Sequence, residues 1–439
     1  MRRAKSESHL VVPISAVLFL CTVLTVSCAG PEAGGDSAVT VFEGALLIVG
    51  DGSPPIENAV FVVENDRFTY AGGGGDVQIP EGTTRVDLGG KTVMPAIVNA
   101  HIHLATTRQE RVDQLQHMAY YGAGVVVSLG HDDNDLAFEM RDEAVANGAR
   151  SLTAGRGITR PEPGRSEAAY WIDSEAEARA AVEELAARAV DIVKIWVDDR
   201  NGSYEKLTPA LYGAIIDETH AQGLRVTAHV YTLEDAKGLL RAGLDVFAHG
   251  VRDLDVDDEF MALWAERSDV VLVPNLPDPG VVVDLGWLSG TVPPSELQEM
   301  QAASTDRPAA QEAFGIQARN LARFNEAGLK IAFGTDGSSP WSVHLEMEDM
   351  VRSGMTPAEV IVAATGSSAE LMQMTDVGTV AEGKSADFIV LDANPLEDIT
   401  NTRQISAVYL RGLVVDRDGL SVRLAGGSSP SLLCGKFGA

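Results

Sequence analysis

The chain has 439 residues, 45% of them hydrophobic and 22% charged, which is the composition of a folded globular protein and excludes a disordered or fibrous one. The formal net charge of −29 argues against nucleic acid or an anionic lipid surface as a partner. The cysteines are Cys21, Cys28 and Cys434, so a thiolate-rich structural zinc site is excluded and at most one bridge, Cys28 to Cys434, is open.

The chain opens with Arg2, Arg3 and Lys5 ahead of an apolar run over 10–26. That run is shorter than the ~20 residues of a spanning helix, and residues 1–27 have the layout of a secretory signal peptide. The segment Val26-Ser27-Cys28 resembles the lipobox of bacterial lipoproteins, whose cysteine is lipidated after cleavage. Thr25 stands where that motif usually carries leucine, with Leu24 one place further back. Three readings follow: a lipid anchor at Cys28, plain secretion, and an uncleaved membrane anchor. Each exports the body of the protein to the cell envelope, periplasm or exterior. In the first, the anchor is the sole membrane contact.

Residues 28–38 lack periodicity and read as a flexible tether. From 39 to 92 come short β-rich runs punctuated by Asp51-Gly52-Ser53-Pro54-Pro55 and by the glycines at 72–75. From 93 to 378 the texture changes. Apolar β-type runs at 124–129, 151–154, 190–197, 225–230, 246–249, 270–274 and 330–336 alternate with amphipathic helical stretches. The helical stretches lie at 174–189, 208–222, 233–242, 259–267 and 309–327. With the strand before His101 this makes eight strand–helix units, the pattern of an α/β fold built as a (β/α)8 TIM-type barrel, with its active site at the C-terminal strand ends. Residues 356–374 predict a further helix. Residues 379–425 turn β-rich again and are expected to pair with 39–92 in one small composite β-sandwich domain. The tail 426–439 reads as loose. The long segment 277–308 is a candidate lid.

Polar residues punctuate the strand ends. His101 and His103 close the first barrel strand, and residues i and i+2 of a strand share a face. Two readings stand for the pair by itself: metal ligands, or two polar residues at a strand end. Lys194 lies in an otherwise apolar fourth strand; His229 ends the fifth, His249 the sixth and Asp336 the eighth. A lone buried lysine is costly, and nitrogen and oxygen donors from separate strands suit a divalent ion such as zinc.

This set resembles the amidohydrolase superfamily, through His101-Ile102-His103, Lys194, His229, Ala248-His249-Gly250 and Gly334-Thr335-Asp336. The flanks Gly90-Lys91-Thr92-Val93-Met94-Pro95 and Gly378-Thr379-Val380-Ala381-Glu382-Gly383-Lys384-Ser385-Ala386-Asp387-Phe388 extend the resemblance over 39–415. Asn99 stands where the family usually has aspartate, at a position that is not a ligand there. The resemblance implies two divalent metal ions, most simply zinc. His101, His103 and Asp336 would hold one, His229 and His249 the other, and a carboxylated Lys194 would bridge them as an N6-carboxylysine. It also implies a metal-bridging hydroxide as nucleophile, with Asp336 as the catalytic group that carries the proton to the leaving amine.

Ala228-His229-Val230-Tyr231 resembles the imidazolonepropionase-like and prolidase-like branch, in which a tyrosine at this place helps bind the substrate α-carboxylate. Tyr231 is therefore a candidate substrate-binding residue, and an ordinary loop aromatic otherwise. Arg156 or Arg160, after the third strand, could supply the matching cation, and His131 could line the pocket. His117, His220 and His344 fall in helical stretches and are assigned no role. The expected reaction is hydrolysis of the amide bond of a small carboxylate-bearing molecule, such as a dipeptide or N-acyl amino acid. The alternatives are a cyclic amide, lactone or ester hydrolase with the same centre, and a metal-binding lipoprotein without turnover. The expected partner is a small-molecule substrate, with no nucleic acid; a homo-oligomer is left open.

Overall fold

A computed structural model of the protein describes residues 39–75 and 83–426. The segments expected to be a signal peptide and a tether, Cys28 among them, and the tail from 427 lie outside the described residues. The N-terminal flank forms β1 (Val39–Leu47), β2 (Ile56–Glu64), β3 (Arg67–Gly73), β4 (Thr84–Asp87) and β5 (Thr92–Pro95). The central part supplies β6 (Ile97–Ile102), β7 (Ala123–Ser128), β8 (Arg150–Thr153), β9 (Ile158–Thr159), β10 (Tyr170–Trp171) and β11 (Val193–Val197). It continues with β12 (Val226–Val230), β13 (Val246–Phe247), β14 (Val271–Leu272) and β15 (Lys330–Ile331). The C-terminal flank adds β16 (Phe388–Leu391), β17 (Ile405–Leu410) and β18 (Leu413–Val414).

Both flanks enter one eight-stranded sheet, in the order β18-β17-β16-β5-β1-β2-β3 with β4 on β1. The β2–β3 hairpin turns on two residues, and Asn65 takes the left-handed conformation that such turns demand (φ +59°). Phe42 stacks on Phe61 at 4.8 Å, and Phe388 stacks on Tyr409 at 4.5 Å. Phe61 also meets Phe388 at 5.2 Å. Their strands stand three places apart in the sheet, so the small domain is one sheet curled over a shared aromatic core. Large aromatic faces bury the most apolar area per residue, which suits so small a core.

The central strands pair in parallel, and β11 and β12 are buried throughout. They do not form the single closed ladder that the eight-unit pattern predicts. They form two ladders, β6-β7-β8 and β10-β9-β11-β12-β13-β14-β15. The reason lies in the third unit, whose strand is broken. β8 pairs with β7, then the chain bends through Gly155 (φ +61°), and β9 pairs with β11. The bend passes over Trp196: a Cβ on Gly157 would lie 2.0 Å from its ring. The other seam, from β15 to β6, is crossed by Ala100 N–H donating to Phe333 O at 2.9 Å. The connections thus run round a cycle although no one ladder closes.

The helices begin where side chains satisfy their free N–H groups. Ser174 forms a capping box with Glu177 ahead of Glu175–Ala187, and Thr208 and Thr232 cap Pro209–Ala221 and Leu233–Ala242. The helix expected over 356–374 is interrupted by a π-helical turn at Ala363–Ser367. The segment 277–308 is not an open lid. Leu285, Leu288 and Val292 are buried in the main core, and Thr291 Oγ1 lies 2.7 Å from Tyr121 Oη.

Candidate metal centre

The C-terminal ends of β6, β13 and β15 bring three imidazoles to one carboxylate. His101 Nε2 lies 3.1 Å and His103 Nε2 3.0 Å from Asp336 Oδ1, and His249 Nε2 lies 3.4 Å from Oδ2. Backbone geometry enforces the meeting. The N–H groups of Thr335 and Asp336 both donate to His101 O, at 3.1 and 2.9 Å. Asp336 takes φ +52°, an uncommon conformation for a non-glycine residue that such cross-bonding sustains. A Cβ at Gly334 would lie 2.8 Å from that of His101, so only glycine lets the strands approach this closely. Asn99, the departure from the family motif, is buried and donates to Thr335 Oγ1 at 3.0 Å. Its role here is to tie β6 to the Asp336 loop.

Burial pushes the His101 imidazole down to about 4 and His249 well below its ordinary value, so both are neutral at physiological pH. Burial pushes the Asp336 carboxyl up, but His101 and His249 outweigh it and hold the group well below the usual carboxylate range. The donor atoms of His101, His249 and Asp336 lie within 4.8 Å of one another. Among the described residues, the buried atoms His103 Nδ1, His249 Nδ1 and Lys194 Nζ have no hydrogen-bond partner. Lys194 is fully buried, with Nζ 5.4 Å from the centre of the Trp196 ring, and burial pushes its ammonium down to about 7. Neutral imidazoles around a carboxylate are a donor set that fits a divalent ion.

His229 faces a different environment. Its Nε2 lies 2.9 Å from Asp198 Oδ2 and 3.0 Å from Arg200 Nη1, while its ring stands 4.6 Å from that of His249. Burial pushes it down to about 3, although Asp198 opposes the shift. His131 stacks on His103 at 4.3 Å and on Trp196 at 5.6 Å, so it does line the pocket.

Above the cluster opens a cavity of about 720 Å3. Tyr231 lines it, together with Asp336, His229 and Asp198. Arg156 does not. Its Nε donates to Ala168 O at 2.7 Å and its Nη2 to Ala169 O at 3.0 Å, and its guanidinium covers the Tyr170 ring at 4.0 Å. Two of its N–H groups are taken by the strand-three bend and the residue lies outside the cavity lining, which corrects its expected role in substrate binding. Arg160 pairs with Asp173 and Glu205. The cations that do line the cavity, Arg165, Arg200 and Arg252, were missed. Two carried a signal: Arg200 follows Lys194 by six residues and Arg252 follows His249 by three, both just past a rim strand.

Residues 92–415 match the amidohydrolase family. The chain is 25% identical over 441 aligned positions to ochratoxinase of Aspergillus niger, covering 85% of each protein. It is 26% identical to imidazolonepropionase of Deinococcus radiodurans, across 81% of this chain and 92% of that one. In three dimensions it resembles the crystal structure of a Xaa-Pro dipeptidase with bound methionine, with a TM-score of 0.68 and 22% identity. That match covers 86% of this chain and 99% of the dipeptidase. These fold neighbours carry a TIM barrel with a small second domain, as the two parallel ladders and the curled sheet do here. With three imidazoles gathered on Asp336 at the strand ends, the chain belongs to the amidohydrolase family of hydrolases.

Proposed function

We propose that this protein is a metal-dependent hydrolase that cleaves the amide bond of a small carboxylate-bearing compound, a dipeptide or an N-acyl amino acid. The observation that carries the reading is the convergence of His101, His103 and His249 on Asp336 beside a buried, unpartnered Lys194. His101, His103 and Asp336 would hold one zinc ion, and His229 and His249 a second, with Lys194 carboxylated between them. Carboxylation would turn a buried cation into an anion between cations, which removes its cost. When bound, the ions supply Lewis-acid polarisation of the scissile carbonyl and a water acidified toward neutral pH.

The chain's own groups do the rest. Asp336, held as a carboxylate by its imidazole neighbours, accepts the water's proton and delivers it to the leaving nitrogen. His131 and Trp196 stack beside His103 and line that side of the site. Tyr231 offers a hydroxyl at the cavity lining. The likeness to ochratoxinase and imidazolonepropionase supports hydrolysis of a carbon–nitrogen bond. Export, lipid attachment at Cys28 and self-association belong to the same proposal and rest on the sequence alone.

The test is a panel of dipeptides, N-acyl amino acids, lactones and aryl esters with zinc-loaded protein. Amide turnover that chelation abolishes and zinc restores is the expected result. Turnover confined to lactones or esters would reassign the substrate, and no turnover on the whole panel would sink the reading.

A further inference from the structure

The two nitrogens of His101 face different groups. Nε2 lies 3.1 Å from Asp336 Oδ1, within the cluster. Nδ1 faces the loop after β14, where Asn275 Nδ2 lies 2.8 Å from it, and Ala248 O lies 3.3 Å away. The backbone makes room for this contact at two special positions. Asn275 is buried and takes φ +46°, a left-handed conformation that asparagine tolerates better than most residues. A Cβ at Gly334 would lie 2.8 Å from Asn275 Oδ1, so the glycine leaves the slot in which the carboxamide sits.

The carboxamide is unevenly served. Its Nδ2 carries two hydrogens and has three neighbours within hydrogen-bond distance: Ala248 O, Val273 O at 3.3 Å and His101 Nδ1. Its Oδ1 is buried with no hydrogen-bond partner among the described residues. A buried acceptor in that state is costly. A neutral imidazole carries its one proton on one nitrogen. With Asn275 Nδ2 donating to Nδ1, that proton sits on Nε2 and serves Asp336. For Nε2 to ligate an ion, the proton must sit on Nδ1, which then needs an acceptor. Oδ1 is that acceptor, half a turn of the carboxamide away.

We propose that Asn275 is a positioning residue for the metal centre: its Oδ1 accepts the Nδ1–H of His101 and so frees Nε2 to ligate. The ring loses the proton on Nε2 and gains one on Nδ1, so its charge is unchanged. The half-turn exchanges the Nδ2 bond to Ala248 O for the Nδ1–H···Oδ1 bond. This inference rests on the proposed ligation by His101, and its test separates the two.

The test measures zinc affinity by chelator competition in wild type, Asn275→Leu and Asn275→Asp, and locates deuterium in zinc-loaded wild-type crystals by neutron diffraction. Asn275→Leu removes the acceptor and should weaken the zinc held by His101 by about 10- to 100-fold, as for other groups that orient ligands. Asn275→Asp keeps an acceptor of the same shape but cannot donate to Ala248 O, and should recover most of that loss. Deuterium is expected on His101 Nδ1, with Oδ1 facing it. Unchanged affinity in Asn275→Leu overturns the acceptor role. Equal losses in both variants overturn it too, because they assign the carboxamide to holding Ala248 O. Nδ2 facing Nδ1 in the loaded crystal does the same. Circular dichroism checks folding, and where Asn275→Leu does not fold the deuterium position decides. A wild type that binds no zinc overturns the proposed metal centre itself.

Discussion

The histidines of this chain divide by what their nitrogens face. His220 Nε2 faces Asp245 at 2.9 Å and His344 Nδ1 faces Thr402 Oγ1 at 3.0 Å, each a private bond inside the scaffold. His101, His103 and His249 instead crowd on the single carboxylate of Asp336, and the Nδ1 atoms of His103 and His249 have no hydrogen-bond partner among the described residues. His229 stands between the groups, at the rim but held by Asp198. The difference teaches that burial alone does not mark a functional imidazole. His344 Nε2 is also buried without a hydrogen-bond partner among the described residues, so an open nitrogen does not set the cluster apart; the convergence of three imidazoles on one carboxylate does, and that arrangement suits an added ion.

The sharpest way to break this division is Asp336→Asn. It removes the shared carboxylate, and the expected outcome is a fall in kcat on the order of 10^3-fold, with lower zinc content by elemental analysis. Unchanged metal content and turnover would make the cluster another scaffold. Lys194→Ala comes next, with loss of about one metal ion per chain and a fall in activity on the order of 10^2-fold. Labelled bicarbonate should exchange into the wild type, visible by carbon NMR, and not into the variant. Full metal occupancy in Lys194→Ala would remove the bridging role.

Asp198→Asn probes the intermediate case. If Asp198 orients His229 for a metal, affinity for one zinc should drop by about 10- to 100-fold, as for other groups that orient ligands. A loss of thermal stability with unchanged zinc affinity would move His229 into the scaffold group.

The smallest effect concerns His344. Burial, aided by Arg403, pushes its imidazole down to about 3 from the ordinary 6.5. Between those values the unfolded chain binds a proton there that the folded chain refuses, so stability falls as pH is lowered through that window. The loss is at most about 1.4 kcal/mol per pH unit from this group. A His344→Gln variant should show a shallower fall of Tm between pH 6.5 and 4 than wild type. Parallel curves would show that other groups govern acid sensitivity.

Much of this was legible in the chain, for identifiable reasons. His101 and His103 follow strand periodicity, so their shared direction is local geometry. The helices at Glu175–Ala187 and Leu233–Ala242 begin at capping residues visible in the sequence, Ser174 and Thr232. The third strand was not legible as two pieces, because its break answers to the Trp196 ring lying against Gly157, a contact 39 residues apart in the chain. Arg156 misled for a related reason. It sits just after a barrel strand, as a pocket residue should, yet carbonyls at Ala168 and Ala169 take its hydrogen bonds.

The sequence by itself determined the family, the alternating α/β order and the residues able to bind a metal, because strand period, helix caps and residue chemistry are properties of neighbours in the chain. Only the tertiary structure decided which of those residues meet. It gathered His249 and Asp336 from separate strands and turned His229 toward Asp198. It turned Arg156 to the carbonyls of Ala168 and Ala169 and placed Arg252 at the cavity lining without a carboxylate partner among the described residues. The direction of a side chain past a strand end depends on what the other loops place there, and that information is spread over the whole chain.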